Sequence, residues 1–118
     1  FPNDLSDKVE KALSIDGPSF MNVLAPCPRG WRYEMEESME ISRLAVETCF
    51  WPIFEVDHGQ VRVTRKPKEK VPVVEWLKKQ GRFRPLFKEQ NKHIIDEIQK
   101  DVDRNWEWLL KREELSRS

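Results

Sequence analysis

Few residues in this 118-residue chain have a type and setting suited to chemistry, and Cys27 is the first of them. It stands in Ala25-Pro26-Cys27-Pro28-Arg29-Gly30-Trp31, where the flanking prolines stiffen the backbone and aim the sulfur in one direction. A thiolate held that way could ligate a metal or cluster, or react; a small buried thiol in a turn is the plainer alternative. Nothing nearby in sequence completes a site with it. There is no CxxC and no HxxxH, and a four-thiolate cluster needs three more cysteines where the chain has only Cys49. Cys49 follows the apolar positions of a helix and precedes Phe50, so it is expected in the core. His58 lies in the turn Asp57-His58-Gly59-Gln60, and His93 starts a helix facing solvent. Glu34, Glu36, Glu37 and Glu40 crowd a helix start, where they complement the dipole and define no acid–base pair. Neither GxGxxG nor GxxxxGK occurs, so no phosphate loop is expected.

Composition narrows the function classes. Lys+Arg and Asp+Glu are both 21, a balance unlike the basic excess of a nucleic-acid binder. Charged residues are 36%, against roughly 25% in an ordinary domain, so the chain is rich in surface for its size. No apolar run approaches the ~20 residues of a membrane span, and no membrane partner is expected. Two cysteines are too few for a disulfide scaffold. A reducing, cytoplasmic setting follows, in which Cys27 and Cys49 stay unpaired.

The elements that must position Cys27 are legible as patterns. Asn3 or Asp4 can cap a first helix with an apolar stripe of Leu5, Val9, Ala12 and Leu13, ended by Gly17-Pro18. Residues 19–25 are apolar on both parities, which predicts a strand covered on both faces in a parallel sheet, with Cys27 just beyond its carboxyl end. A second helix is expected over about 35–48. Residues 50–56 and 61–64 then read as an antiparallel hairpin around Gly59. Residues 74–80 predict a short helix closed by Gly81 as C-terminal cap, and about 88–115 a long one with the stripe Ile94, Ile98, Val102, Trp106 and Leu109 or Leu110. Trp76, Phe83, Phe87, Trp106 and Trp108 exceed what one helix can bury. They must pack on the α/β part or on another chain, and Arg82-Phe83-Arg84 has the composition of an interface anchor.

The order of elements is a piece of an α/β fold whose sheet is incomplete, and the chain opens Phe1-Pro2-Asn3-Asp4 without Met. Both features predict a segment of a larger protein. The segment divides at about residue 72 into an α/β part (1–72) and a helical tail (73–118).

The run from Gly17 through Trp31, followed by Ile41-Ser42-Arg43-Leu44-Ala45-Val46-Glu47-Thr48, Trp51-Pro52-Ile53-Phe54-Glu55-Val56 and Gln80-Gly81-Arg82-Phe83-Arg84, resembles the C-terminal part of the beta subunit of pyruvate:ferredoxin oxidoreductase (pyruvate synthase). The resemblance covers nearly the whole chain. It implies the C-terminal part of a thiamine-diphosphate-binding α/β fold, with the helical tail docking on partner subunits. It also implies an enzyme complex that decarboxylates a 2-oxoacid with thiamine diphosphate and Mg2+. Electrons pass through [4Fe–4S] clusters to ferredoxin, and the acyl group goes to coenzyme A. By the same resemblance Cys27 is the last of four cysteine ligands to the [4Fe–4S] cluster nearest the thiamine, and the metal-binding residue of this segment. The other ligands and the diphosphate motif are expected upstream. Related 2-oxoacid oxidoreductases, including those for 2-oxoisovalerate, share this loop. Two other classes stay open on the residues alone, a stand-alone helical interaction module and a thiol redox protein using Cys27.

Overall fold

The computed structural model describes residues 1–117. Its elements are α1 (Pro2–Ser14), α2 (Pro28–Trp31), α3 (Ser38–Glu47), β1 (Ile53–Asp57), β2 (Gln60–Arg65), α4 (Val74–Leu77) and α5 (Lys92–Ser116), with 3-10 turns at Met35–Glu37, Gly81–Phe87 and Glu89–Asn91. No helix among the described residues is long and apolar enough to cross a membrane.

The hairpin forms where alternation and turn chemistry predict it. β1 and β2 pair antiparallel, with Val56 opposite Val61 and Asp57 opposite Gln60. His58 and Gly59 both take positive φ, 50° and 82°, the two-residue turn whose twist matches the strands. Val61 and Val63 point to one face and are buried against Leu109, Trp106 and Leu110 of α5. The opposite face is polar and receives α1. Lys8 donates to Thr64 at 2.7 Å, and Lys11 donates to Glu55 at 2.6 Å. Burial of the Glu55 carboxyl works against its charge. Lys11 and Arg62 outweigh that and hold it below the ordinary carboxylate range.

The main core joins the two halves of the chain. Ile41, Leu44 and Ala45 of α3, with Cys49, meet Val73, Trp76, Leu77 and Val102. The stripe of α5 enters this core through Ile95, Ile98 and Trp106, so Ile95 takes the place expected of Ile94. Three polar side chains of α5 also satisfy backbone donors of neighbouring segments. Gln99 Oε1 accepts from the Val73 N–H at 2.8 Å, Ser116 Oγ from Val61 at 2.9 Å, and the buried Glu113 carboxylate from Val63.

Several expectations are corrected. Residues 19–25 form no strand, and the only sheet among the described residues is the antiparallel hairpin, so the partial parallel sheet is not formed. A run apolar on both faces needs a strand on each side and a layer above and below. β1 and β2 pair with each other and supply none of these, so Phe20 stays 90% exposed. The first helix begins at Pro2, ahead of Asn3 and Asp4, with no side-chain cap. Proline is suited to a helix's first position, because its missing N–H would have no helical partner there. The second helix starts as a 3-10 turn over Met35–Glu37, and Met35 and, in the first turn of α3, Met39 are exposed. The long helix begins at Lys92 because Pro85 and two 3-10 turns occupy the preceding segment.

Candidate functional site

Cys27 is exposed and carries a free thiol at the start of α2. Pro28 occupies the first helical position. The Trp31 N–H donates to the Cys27 carbonyl at 2.8 Å, and the Tyr33 N–H donates to the Pro28 carbonyl at 3.2 Å. The Gly30 N–H donates to Cys27 Sγ at 3.4 Å. An amide aimed at sulfur withdraws electron density from it, and hydrogen-bond donors of this kind tune ligating cysteines. Arg32 then reverses the chain in the left-handed region, at φ 60°.

What holds this turn comes from residues 76–83, about fifty positions further along the sequence. Arg82 lays its guanidinium over the Trp31 ring at 4.2 Å and over Phe83 at 4.6 Å. Trp31 packs edge-on against Trp76, centroids 5.9 Å apart. Trp76 is fully buried and donates its indole N–H to the Ile41 carbonyl of α3 at 3.1 Å. Gln80, also buried, accepts from Arg82 Nε at 2.8 Å and donates to the Trp76 carbonyl at 2.9 Å. A continuous set of contacts thus runs from the α3 core through Trp76, Gln80 and Arg82 to Trp31 and the Cys27 carbonyl.

Gly81 closes the arrangement. Its N–H donates to the Arg32 carbonyl at 2.7 Å, and a Cβ on Gly81 would lie 2.8 Å from Arg32 Cβ and 3.1 Å from Arg32 O. The expectation of Gly81 as the cap of a helix over 74–80 is therefore corrected. The helix ends at Leu77, and glycine is needed at 81 for close approach of two backbones. The Arg82-Phe83-Arg84 motif divides, with Arg82 exposed but stacked over Trp31, Phe83 half-buried against Trp76, and Arg84 exposed.

The remaining candidates sort as their residue types suggested. Cys49 is buried in the core, and burial pushes its thiol up to about 11. It also takes φ 63°, directly after the C-cap of α3, where glycine or asparagine is commoner. His58 is exposed and bonded to Asp57, and His93 is exposed on α5. Glu37 and Glu40 meet Lys79 at 3.5 and 3.3 Å, and the Glu40 carboxylate raises the lysine's pKa. These are ion pairs on a solvated face. Trp108 is the one tail aromatic of the expected set left open, at 60% exposure.

No group of three or more His, Cys, Asp or Glu able to hold a metal occurs among the described residues. The donor set therefore fits one role toward an iron–sulfur cluster, that of a single thiolate ligand whose companions come from elsewhere. An exposed free sulfur on a stiff, externally braced turn with an amide on it meets that requirement. Sequence reasoning singled out Cys27 and the prolines that flank it. It missed the bracing by Gly81 and Arg82, whose only local signal is a glycine beside an arginine and an aromatic.

No family model matches the chain. Its curated relatives include pyruvate synthase and ketoisovalerate oxidoreductase subunits. Pyruvate synthase subunit PorB of Thermotoga maritima is 54% identical over 117 residues, 98% of this chain and 36% of the relative. The PorB of Methanocaldococcus jannaschii is 48% identical over 103 residues, 87% of this chain and 33% of the relative. Ketoisovalerate oxidoreductase subunit VorB of Pyrococcus furiosus is 43% identical over 117 residues, 98% and 36% respectively. The chain spans about a third of the length of these relatives. It is a homologue of pyruvate synthase subunit PorB and matches the C-terminal part of that subunit.

Proposed function

We propose that this chain is the C-terminal segment of the beta subunit of a 2-oxoacid:ferredoxin oxidoreductase, acting on pyruvate within the assembled cytoplasmic complex. The observation that carries the reading is identity of 54% to a pyruvate synthase subunit across 98% of the chain, including the Cys27 turn. Residues 1–72 complete the thiamine-diphosphate-binding α/β domain, and 73–118 form the helical tail. The strand-like run at 19–25 finds its sheet neighbours in the rest of the subunit, which accounts for its exposure here.

When bound, thiamine diphosphate with Mg2+ supplies the carbanion chemistry of decarboxylation, and [4Fe–4S] clusters supply the electron path to ferredoxin, with coenzyme A as acyl acceptor. This chain's own contribution is Cys27, whose thiolate would hold one iron. The prolines fix the direction of its sulfur, and the Gly30 amide draws electron density from it, which would favour a less negative potential of a cluster bound there. The segment carries no diphosphate-binding motif, so the activity belongs to the assembled complex.

The test is Cys27→Ala in the full-length subunit of the complex. Loss of one cluster's electron paramagnetic resonance signal and of electron delivery to ferredoxin is expected, and an unchanged spectrum would sink the ligand assignment. A second reading, action on 2-oxoisovalerate, is supported by VorB relatives at 42–43% identity. Comparing kcat/KM for the two 2-oxoacids separates them.

A further inference from the structure

We infer that Gly81 and Arg82 are positioning residues for Cys27, forming a clamp that fixes the direction in which the Cys27 turn presents its sulfur. The inference rests on the reading of Cys27 as a ligand and goes beyond it, because it assigns a role to residues more than fifty positions away in sequence.

The geometry is specific. A Pro-Cys-Pro sequence stiffens the backbone locally, but two prolines do not set where a turn sits relative to the rest of the molecule. Two contacts from the 80–83 segment do that here. Gly81 N–H bonds the Arg32 carbonyl at 2.7 Å, directly after the last residue of α2, and the close approach leaves no room for a β-carbon. Arg82 covers Trp31, the residue whose N–H holds the Cys27 carbonyl. Both contacts end on the exit side of α2, so its four residues are held as one body with Cys27 at the free end. The clamp is itself anchored. Gln80 orients the Arg82 guanidinium through Nε, and Gln80 and Trp76 are tied to each other and to α3 within the core.

Arginine suits this position better than lysine. Its planar guanidinium can stack on the indole while its edge bonds Gln80, whereas an ammonium offers a point charge and no plane. Arg82→Lys should therefore keep the charge and lose most of the clamp.

The experiment uses the assembled complex containing the full-length subunit, with Gly81→Ala, Arg82→Ala and Arg82→Lys. Arg104→Ala on the exposed face of α5 serves as control. Two properties are followed: hydrogen exchange of the Trp31 and Tyr33 amides, and the cluster's resonance spectrum together with its loss rate to an iron chelator. Exchange at Trp31 and Tyr33 should rise about tenfold in Arg82→Ala, the scale of one partly desolvated cation–π contact, and by as much or more in Gly81→Ala. Arg82→Lys should fall near Arg82→Ala. Val102 and Leu109 amides should stay at wild-type rates, and chelation should accelerate in step with exchange at the turn. Wild-type exchange at the turn would overturn the inference. So would acceleration spread equally through Val102 and Leu109, which marks general destabilisation. If exchange rises while spectrum and chelation stay fixed, and Cys27→Ala abolishes the signal, the clamp does not position the ligand and the inference fails. If Cys27→Ala leaves the spectrum intact, the ligand assignment has failed instead, and the turn amides alone then show whether Gly81 and Arg82 hold the turn.

Discussion

Glu113 offers the sharpest test of how the long helix holds the hairpin. Its side chain is buried, accepts the Val63 backbone N–H, and pairs with Lys66 Nζ at 2.6 Å. In Glu113→Ala the Val63 donor is left buried without a partner, which costs about 1–3 kcal/mol. Lys66 is half-exposed, so the lost ion pair adds under ~1 kcal/mol. The expected total spans about 1–4 kcal/mol, with a middle value of about 2–3 kcal/mol. Glu113→Gln keeps an acceptor for Val63 and loses only charge assistance, so about 1 kcal/mol is expected. For a domain of this size 1 kcal/mol corresponds to about 4 °C in Tm, so Glu113→Ala should melt roughly 8–12 °C lower. Urea unfolding at constant m-value measures both differences. The pH dependence adds an independent check. Lys66 and the Val63 amide hold the Glu113 carboxyl below its ordinary value of 4.5. The folded state therefore binds this proton less readily than the unfolded one. The resulting stability is fully present above the ordinary value and is lost as pH falls through the depressed one, so wild type and Glu113→Gln should converge in acid. A Glu113→Ala protein within ~0.5 kcal/mol of wild type, or a Gln variant as damaged as the Ala variant, would refute this account.

Two further outcomes follow from the core and the thiols. Trp76→Phe should cost about 2–3 kcal/mol in urea unfolding, because it removes the indole bond to the Ile41 carbonyl, leaves a cavity in the core and loosens the packing of Trp31 and Phe83; a loss under ~1 kcal/mol would show the indole bond to be dispensable. In the metal-free chain at pH 8, an aromatic disulfide reagent should titrate Cys27 quickly and Cys49 only after denaturant is added, since Cys49 is buried with its thiol raised to about 11. Two fast thiols would contradict the placement of Cys49 in the core.

Much of the local structure is written in neighbouring residues. The hairpin follows from alternation in β2 and a His-Gly turn, and α5 follows from apolar steps of three and four residues. Both are decided by interactions within a few positions, which is why pattern reading finds them. The run at 19–25 shows the limit of that reasoning. Its apolar residues report that it is made to be covered on both faces, but whether it becomes a strand depends on partners that β1 and β2 do not provide. Gly81 shows a different limit. A glycine after a short helix reads as a cap, while the structure uses it to let its backbone reach Arg32 from 49 positions away.

The site divides along the same line. The residue types around position 27 single out one cysteine between two prolines, because proline rigidity is a property of adjacent residues. Only folding decided what faces that turn. Arg82 stacks on Trp31, Gln80 orients Arg82, and Trp76 ties both to α3, each across dozens of residues. Side chains brought together by packing carry no mark of one another in the order of the chain, and the bracing of Cys27 is made entirely of such pairs.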